Sequence, residues 1–243
     1  MGSFLNCVIY RLEKGQSFLR GRSYCPNCRH QLGFWDLIPV LSFLWLRAKC
    51  RYCQKKISLQ YPLVEIATGV LFVLVFNLLR SDLLGRSDLL ISGFVIIPFL
   101  IVIFVYDLKH YIIPDKVIYP AIGITLIYHF LRSDLLGRSD LLISAFGAAA
   151  FFLAIVLVSR GKWMGVGDIK LAFLMGLLLG WPNIFLALFL AFTAGAVIGI
   201  GLILFGRKSL KSEVPFGPFL VSGTVMALFW GEPIINWYLG LYV

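Results

Sequence analysis

Leu89–Asp115 reads LLISGFVIIPFLIVIFVYDLKHYIIPD, and the reading of this stretch decides the fold. Its first part, Leu89–Tyr106, carries no charge and is close to the roughly 20 apolar residues that a helix needs to cross a bilayer. It then turns polar at Asp107. Runs of the same kind occupy Tyr61–Leu79, Val117–Phe130, Leu141–Ser159, Ile169–Trp181, Ile184–Phe205 and Val214–Leu239, of which Val117–Phe130 and Ile169–Trp181 are short. In lipid only helices and closed barrels satisfy their backbone, and these runs lack the alternation of barrel strands. The pattern predicts an all-α polytopic membrane protein with about seven full transmembrane helices. A partial helix stands before them. Gly2–Tyr10 (GSFLNCVIY) is apolar over about half a membrane thickness, lacks the marks of a signal peptide, and reads as the second half of a helix.

Composition agrees. The chain is 60% hydrophobic and 14% charged, with a mean hydropathy of +0.89, against about 45–50% and 25% for soluble domains. The net charge of +10 could suggest nucleic acid, but its distribution points to a membrane instead. Segment 11–60 holds ten Lys/Arg, and the tract 207–211 adds Arg207, Lys208 and Lys211. Excess Lys/Arg marks cytoplasmic loops. Placing 11–60 inside and alternating the spans puts 80–88 and 131–140 outside. Eighteen of the 22 basic residues then lie inside, all but Arg80, Arg86, Arg132 and Arg138. Residues 79–92 and 131–144 are the same string, LRSDLLGRSDLLIS, and both copies fall on the outer side. They read as a tolerated loop insertion rather than a paired binding element.

Four of five cysteines form two CxxC pairs, Cys25-Pro-Asn-Cys28 and Cys50-Arg-Tyr-Cys53, 21 residues apart in basic, turn-rich sequence. Four thiols at this spacing point to a structural zinc site on a cytoplasmic module, because thiols there stay reduced and four cysteines leave no open coordination position. Cys7 is left over as a packed thiol. Between the pairs, Phe34–Leu46 (FWDLIPVLSFLWL) is too short to span and fits a membrane-surface or re-entrant segment. The division expected is residues 1–60 for the first helix and zinc module, and 61–243 for the transmembrane domain.

Acidic residues number twelve, so each one at membrane depth calls for a reason. Asp107 opens DLKHYIIPD, and Asp168 closes Gly165-Val166-Gly167-Asp168 before another apolar run. Taken singly, Asp168 could be a helix N-cap and Asp107 a solvated loop carboxylate. Both fall on the same predicted face, and Gly165 and Gly167 would let an extended peptide backbone approach. Two carboxyls sharing a proton can run aspartyl proteolysis. The histidines, His30, His110 and His129, are too scattered for a triad.

GSFLNCVIYRL, CPNC and CRYC, WDLIP, YPLVEIATG, DLKHYIIPD, GVGDIKL and VPFGPFL together resemble the bacterial type IV prepilin leader peptidases, in family order from residue 2 to about 220. The resemblance implies a bifunctional enzyme of the inner membrane. Such an enzyme cuts the basic leaders of type IV prepilins and type II secretion pseudopilins after Gly, then N-methylates the new N-terminus with S-adenosylmethionine. It implies that Asp107 and Asp168 are the catalytic pair and that Cys25, Cys28, Cys50 and Cys53 bind zinc. Ala48 departs from the family pattern, which often has Gly there. Glu65, within YPLVEIATG, is a candidate for the methyl-transfer half or for a helix-end salt bridge. Rival readings are a helical transporter or channel that uses Asp107 and Asp168 as proton or ion sites, and an assembly protein that has lost catalysis. Transport sites usually lie near the midplane between inverted repeats, and here the acids sit at span ends.

Overall fold

The computed structural model of the chain describes residues 1–17, 21–81, 87–131, 139–205 and 214–240, the side chains of 78–81 and 87–93 excepted. Residues 82–86 and 132–138, within the two LRSDLLGRSDLLIS copies, and the basic tract 207–211 lie outside the described residues. The helices are α1 (Gly2–Glu13), α2 (Leu41–Trp45), α3 (Gln60–Ser81), α4 (Ser87–His110), α5 (Asp115–Leu131), α6 (Ser139–Ser159), α7 (Val166–Leu179), α8 (Asn183–Leu204) and α9 (Gly217–Gly240). Among the described residues, β pairing is confined to two isolated bridges, Tyr24 with Gln31 and Lys49 with Lys56. The all-helical expectation holds.

Four helices are long and apolar enough to cross a membrane among the described residues: Gln60–Asn77, Ser139–Ser159, Asn183–Leu204 and Gly217–Gly240. The two short runs of the sequence reading become α5 and α7, of 17 and 14 residues.

Packing divides the chain into two compact units, Met1–Asn77 and Leu78–Val243. In the first, α1 lies against α3. The Asn6 side-chain amide donates to the Tyr61 carbonyl at 3.0 Å. A Cβ on Gly2 would stand 2.6 Å from the Cα of Glu65, so the two backbones touch there. Leu5, Ile9 and Val64 fill this unit's core.

In the second unit, α7 is the hub, touching α4, α5, α6, α8 and α9. Its length follows from that place. A helix apolar on all sides is a buried one, and Leu171, Leu174, Met175, Leu177 and Leu178 are all inaccessible. Small residues let its neighbours come close, the usual device where lipid removes a hydrophobic drive between helices. A Cβ on Gly176 would stand 2.3 Å from the Cα of Ala145 in α6, and one on Gly223 of α9 would stand 2.3 Å from the Ala187 carbonyl oxygen of α8. Neither contact has room for a methyl group. Gly176→Ala should therefore push α6 and α7 apart and cost about 1–3 kcal/mol, the range for overpacked cores. A lowered midpoint in thermal unfolding of the detergent-solubilised chain checks this, and an unchanged midpoint would show the crossing to be looser.

Candidate active site and metal site

The two CxxC pairs fold alike. In the first, the Cys25 amide donates to the His30 carbonyl and the Arg29 amide to the Cys25 carbonyl, each at 2.9 Å. In the second, Cys50 donates to Lys55 at 2.9 Å and Gln54 to Cys50 at 3.0 Å. The residue after each second cysteine, Arg29 and Gln54, has φ +57°, and a bridge closes each loop. Left-handed backbone at a side chain costs about 1–2 kcal/mol, so something must hold both loops shut. The rings of His30 and Tyr52 meet across the two knuckles, 3.6 Å apart and tilted by 32°.

All four Sγ atoms lie within 4.8 Å of one another, in a cluster that could hold a metal ion. The Cys25 and Cys53 sulfurs are 3.9 Å apart, far beyond the roughly 2.05 Å of a disulfide. Tetrahedral zinc at about 2.3 Å from each thiolate would space the sulfurs by about 3.8 Å, so the set fits that ion. Protons are unevenly shared across the cluster. Burial pushes the Cys25 thiol up, but the Cys28 and Asn27 amides and the neighbouring thiols outweigh it and bring it to about 7. The Lys55 amide pulls the Cys53 thiol down, yet desolvation and the other three thiols drive it up to about 11. Four thiols this close cannot all ionise without a cation among them.

Ala48 follows α2 at φ +58°, its amide donating to the Phe43 carbonyl at 2.9 Å. The glycine of the family pattern thus sits where the chain turns back out of a helix in left-handed backbone.

In the second unit, α4 carries Asp107 three residues before its end, and α7 carries Asp168 in its first turn. Both are buried, at 4% and 8% exposure, so neither is a solvated loop carboxylate. Nor is Asp168 the N-cap, a place that Gly165 takes. The Gly165 amide donates to Asp168 Oδ2 at 3.1 Å. The Gly217 amide, at the first residue of α9, donates to Asp107 Oδ2 at 3.0 Å. The second oxygen of each has no hydrogen bond among the described residues. The helices that carry the two carboxyls, α4 and α7, pack against each other.

The other acid of DLKHYIIPD is disposed differently. Asp115 is exposed and bound by Lys170 Nζ at 2.6 Å, with the same ammonium 4.8 Å from the centre of the Tyr119 ring. That pair ties the start of α5 to the first turn of α7. Beside it, a Cβ on Gly167 would stand 3.0 Å from the Cβ of Ile113, whereas one on Gly165 would meet nothing closer than 3.9 Å. Gly167 seats the turn against the IIP loop, and a Cβ on Gly165 would touch only its own turn.

Residues 1–79 match the Bacterial Peptidase A24 N-terminal domain, and residues 94–200 match the Type IV leader peptidase family. The prepilin leader peptidase/N-methyltransferase of Aeromonas hydrophila is 33% identical over 98% of this chain and 90% of its own length. The chain belongs to the type IV leader peptidase family. The proteins of the same name from Legionella pneumophila and Bacillus subtilis (strain 168) are each 32% identical, over 100% and 98% of this chain and 92% and 94% of their own. No solved structure matches. The expected enzyme class, a prepilin peptidase, is the one that this family and these relatives carry.

Gly217 is the residue that the sequence reading missed. VPFGPFL stands out as a motif, but nothing local links it to an acid 110 positions earlier. A methyl group there would stand 2.5 Å from Asp107 Oδ2. Gly217→Ala should displace that carboxyl and lower leader cleavage about 10- to 100-fold, the worth of a hydrogen bond to a charged group. Assay of the correctly inserted variant checks this, and full activity would free Asp107 from dependence on Gly217.

Proposed function

We propose that this chain is a membrane aspartyl endopeptidase that cuts the leader peptides of type IV prepilins and pseudopilins at the cytoplasmic face of the bacterial inner membrane. Asp107 and Asp168 are its catalytic pair. The observation that carries the reading is two buried carboxyls on helices that pack together, each held through one oxygen by a backbone amide.

An aspartyl pair works with one proton shared between its two carboxyls. The ionised member takes a proton from a water molecule as its oxygen bonds to the scissile carbonyl carbon. The protonated member gives its proton to the carbonyl oxygen. When the tetrahedral intermediate collapses, the C–N bond breaks and the amine leaves with the proton first taken from water. A hydroxyl of the intermediate returns its proton to the second carboxylate as the new acid forms. Gly165 and Gly167 border the place where the substrate backbone passes, Gly165 with only its own turn beside it and Gly167 with Ile113 as its wall. Lys170 leaves the pair alone because Asp115 neutralises it. Cytoplasmic placement rests on the ten basic residues in 11–60.

Cys25, Cys28, Cys50 and Cys53 bind a structural zinc, which closes the two knuckles into one module and leaves no coordination position for chemistry. Methyl transfer to the new N-terminus would use S-adenosylmethionine. The sequence has no glycine-rich nucleotide fingerprint for it.

Purified full-length protein in lipid should cut a prepilin peptide, and Asp107→Asn or Asp168→Asn should each lower the rate by about 10³-fold or more while insertion is unchanged. Near-normal cleavage by either variant removes that aspartate from the mechanism. Elemental analysis should find one zinc per chain, lost in the Cys25→Ser/Cys50→Ser double variant. Absence of zinc from metal-replete, reduced protein would end the zinc reading.

A further inference from the structure

The segment between the two knuckles folds without making a core of its own. Phe34–Asp36 is a single 3-10 turn, α2 follows, and neither buries a residue. Phe34 is 78% exposed and Trp45 69%, with Trp35, Leu41 and Leu44 also exposed. The base of the segment is nevertheless rigid. The Asp36 carboxylate accepts from the Gly33 amide at 3.1 Å and from Arg51 Nε at 2.9 Å, which fastens it to the second knuckle. A fixed segment that holds large apolar side chains outward marks an interaction surface.

Its depth is fixed by one carboxylate. Val40, immediately before α2, has φ +61°, and its amide donates to Glu65 Oε2 at 2.8 Å. Ser3 Oγ lies 2.5 Å from Glu65 Oε1 and 3.1 Å from the Leu37 carbonyl. Glu65 stands five residues into α3, within Gln60–Asn77, the first of the candidate spans. At 1.5 Å per residue that is about 7–8 Å along the helix axis. The start of α2 is therefore held level with the outer turns of a spanning helix. Tryptophans favour this layer, the boundary between headgroups and acyl chains. Exposed Arg47, Lys49, Lys55 and Lys56 of the same unit complement anionic headgroups. The same charges oppose a second copy, since a two-fold contact would set basic residues against each other. A re-entrant plunge does not fit either, because α2 stops at Trp45 and Arg47 and Ala48 turn the chain back in left-handed backbone.

We propose that the Phe34–Asp36 turn and α2 form an interfacial membrane anchor, seated at the headgroup boundary of a bilayer containing anionic lipid, with Glu65 as the positioning residue that sets its depth. The proposal rests on α3 crossing the membrane and not on the peptidase chemistry. To test it, the full chain and a Trp35→Phe/Trp45→Phe variant are reconstituted in phosphatidylethanolamine–phosphatidylglycerol vesicles, and the difference in emission reports the two tryptophans. It should be quenched at least twofold more by lipids brominated near the headgroup than by lipids brominated near the chain end, and little by aqueous iodide. Glu65→Gln, or Ser3→Ala should that variant fail to fold, should lose at least half of the preference for shallow bromines. Quenching by iodide with none from brominated lipid overturns the proposal. So does protection from both that grows with the protein-to-lipid ratio, which would give the face to a second copy. An unchanged depth profile in both positioning variants overturns the role of Glu65.

Discussion

A carboxyl group taken out of water must find donors, and this chain supplies them from its own backbone. Asp168 takes the amide of Gly165, Asp107 that of Gly217, and Glu65 that of Val40. The first turn of a helix has amides with no partner inside the helix, together with the positive end of its dipole. Gly165 precedes α7 and Gly217 opens α9, so each acid meets a need that the helix start already has. Fixed backbone amides neither reorient nor exchange with water, and a carboxyl gripped this way keeps its place in the bundle.

The grip demands that backbones come closer than side chains allow. Gly217 has no room for a Cβ beside Asp107, and Gly167 has little beside Ile113. Deeper in the bundle, Gly176 and Gly223 bring α7 and α9 onto their neighbours. Gly167 and Gly176 bring the hub helix onto Ile113 and α6, and Gly217 brings the start of α9 onto Asp107. The close crossings and the carboxyl geometry are one arrangement, because α7 carries both Gly176 and Asp168.

The sequence announced more of the site than of the architecture. Hydrophobic runs and basic loops gave the helical membrane class, and the rarity of acids drew attention to Asp107 and Asp168. The spacing of Cys25, Cys28, Cys50 and Cys53 gave their cluster, because CxxC is a local signal that survives folding unchanged. Gly217 stayed hidden because its partner is set by packing between α4 and α9. The short reach of α7 had no explanation in the string itself, since a run buried by protein and a run buried by lipid read alike. The left-handed place of Ala48 likewise emerges only from the loop geometry.

Glu65 shows what separates an anchoring acid from a reactive one. Both of its oxygens are engaged, by Ser3 and by Val40, in a contact that joins α1, α3 and the approach to α2. Asp36 is similar, taken up by Gly33 and Arg51, and Asp115 is exposed and neutralised by Lys170. Asp107 and Asp168 differ from all three. Each is gripped through Oδ2 alone and faces no cation among the described residues, which leaves Oδ1 to give or receive a proton. A carboxyl with both oxygens engaged, or with a lysine against it, would have to break those contacts before it could exchange a proton with water. Burial, one engaged oxygen and one open oxygen suit Asp107 and Asp168 to the proton sharing proposed for them.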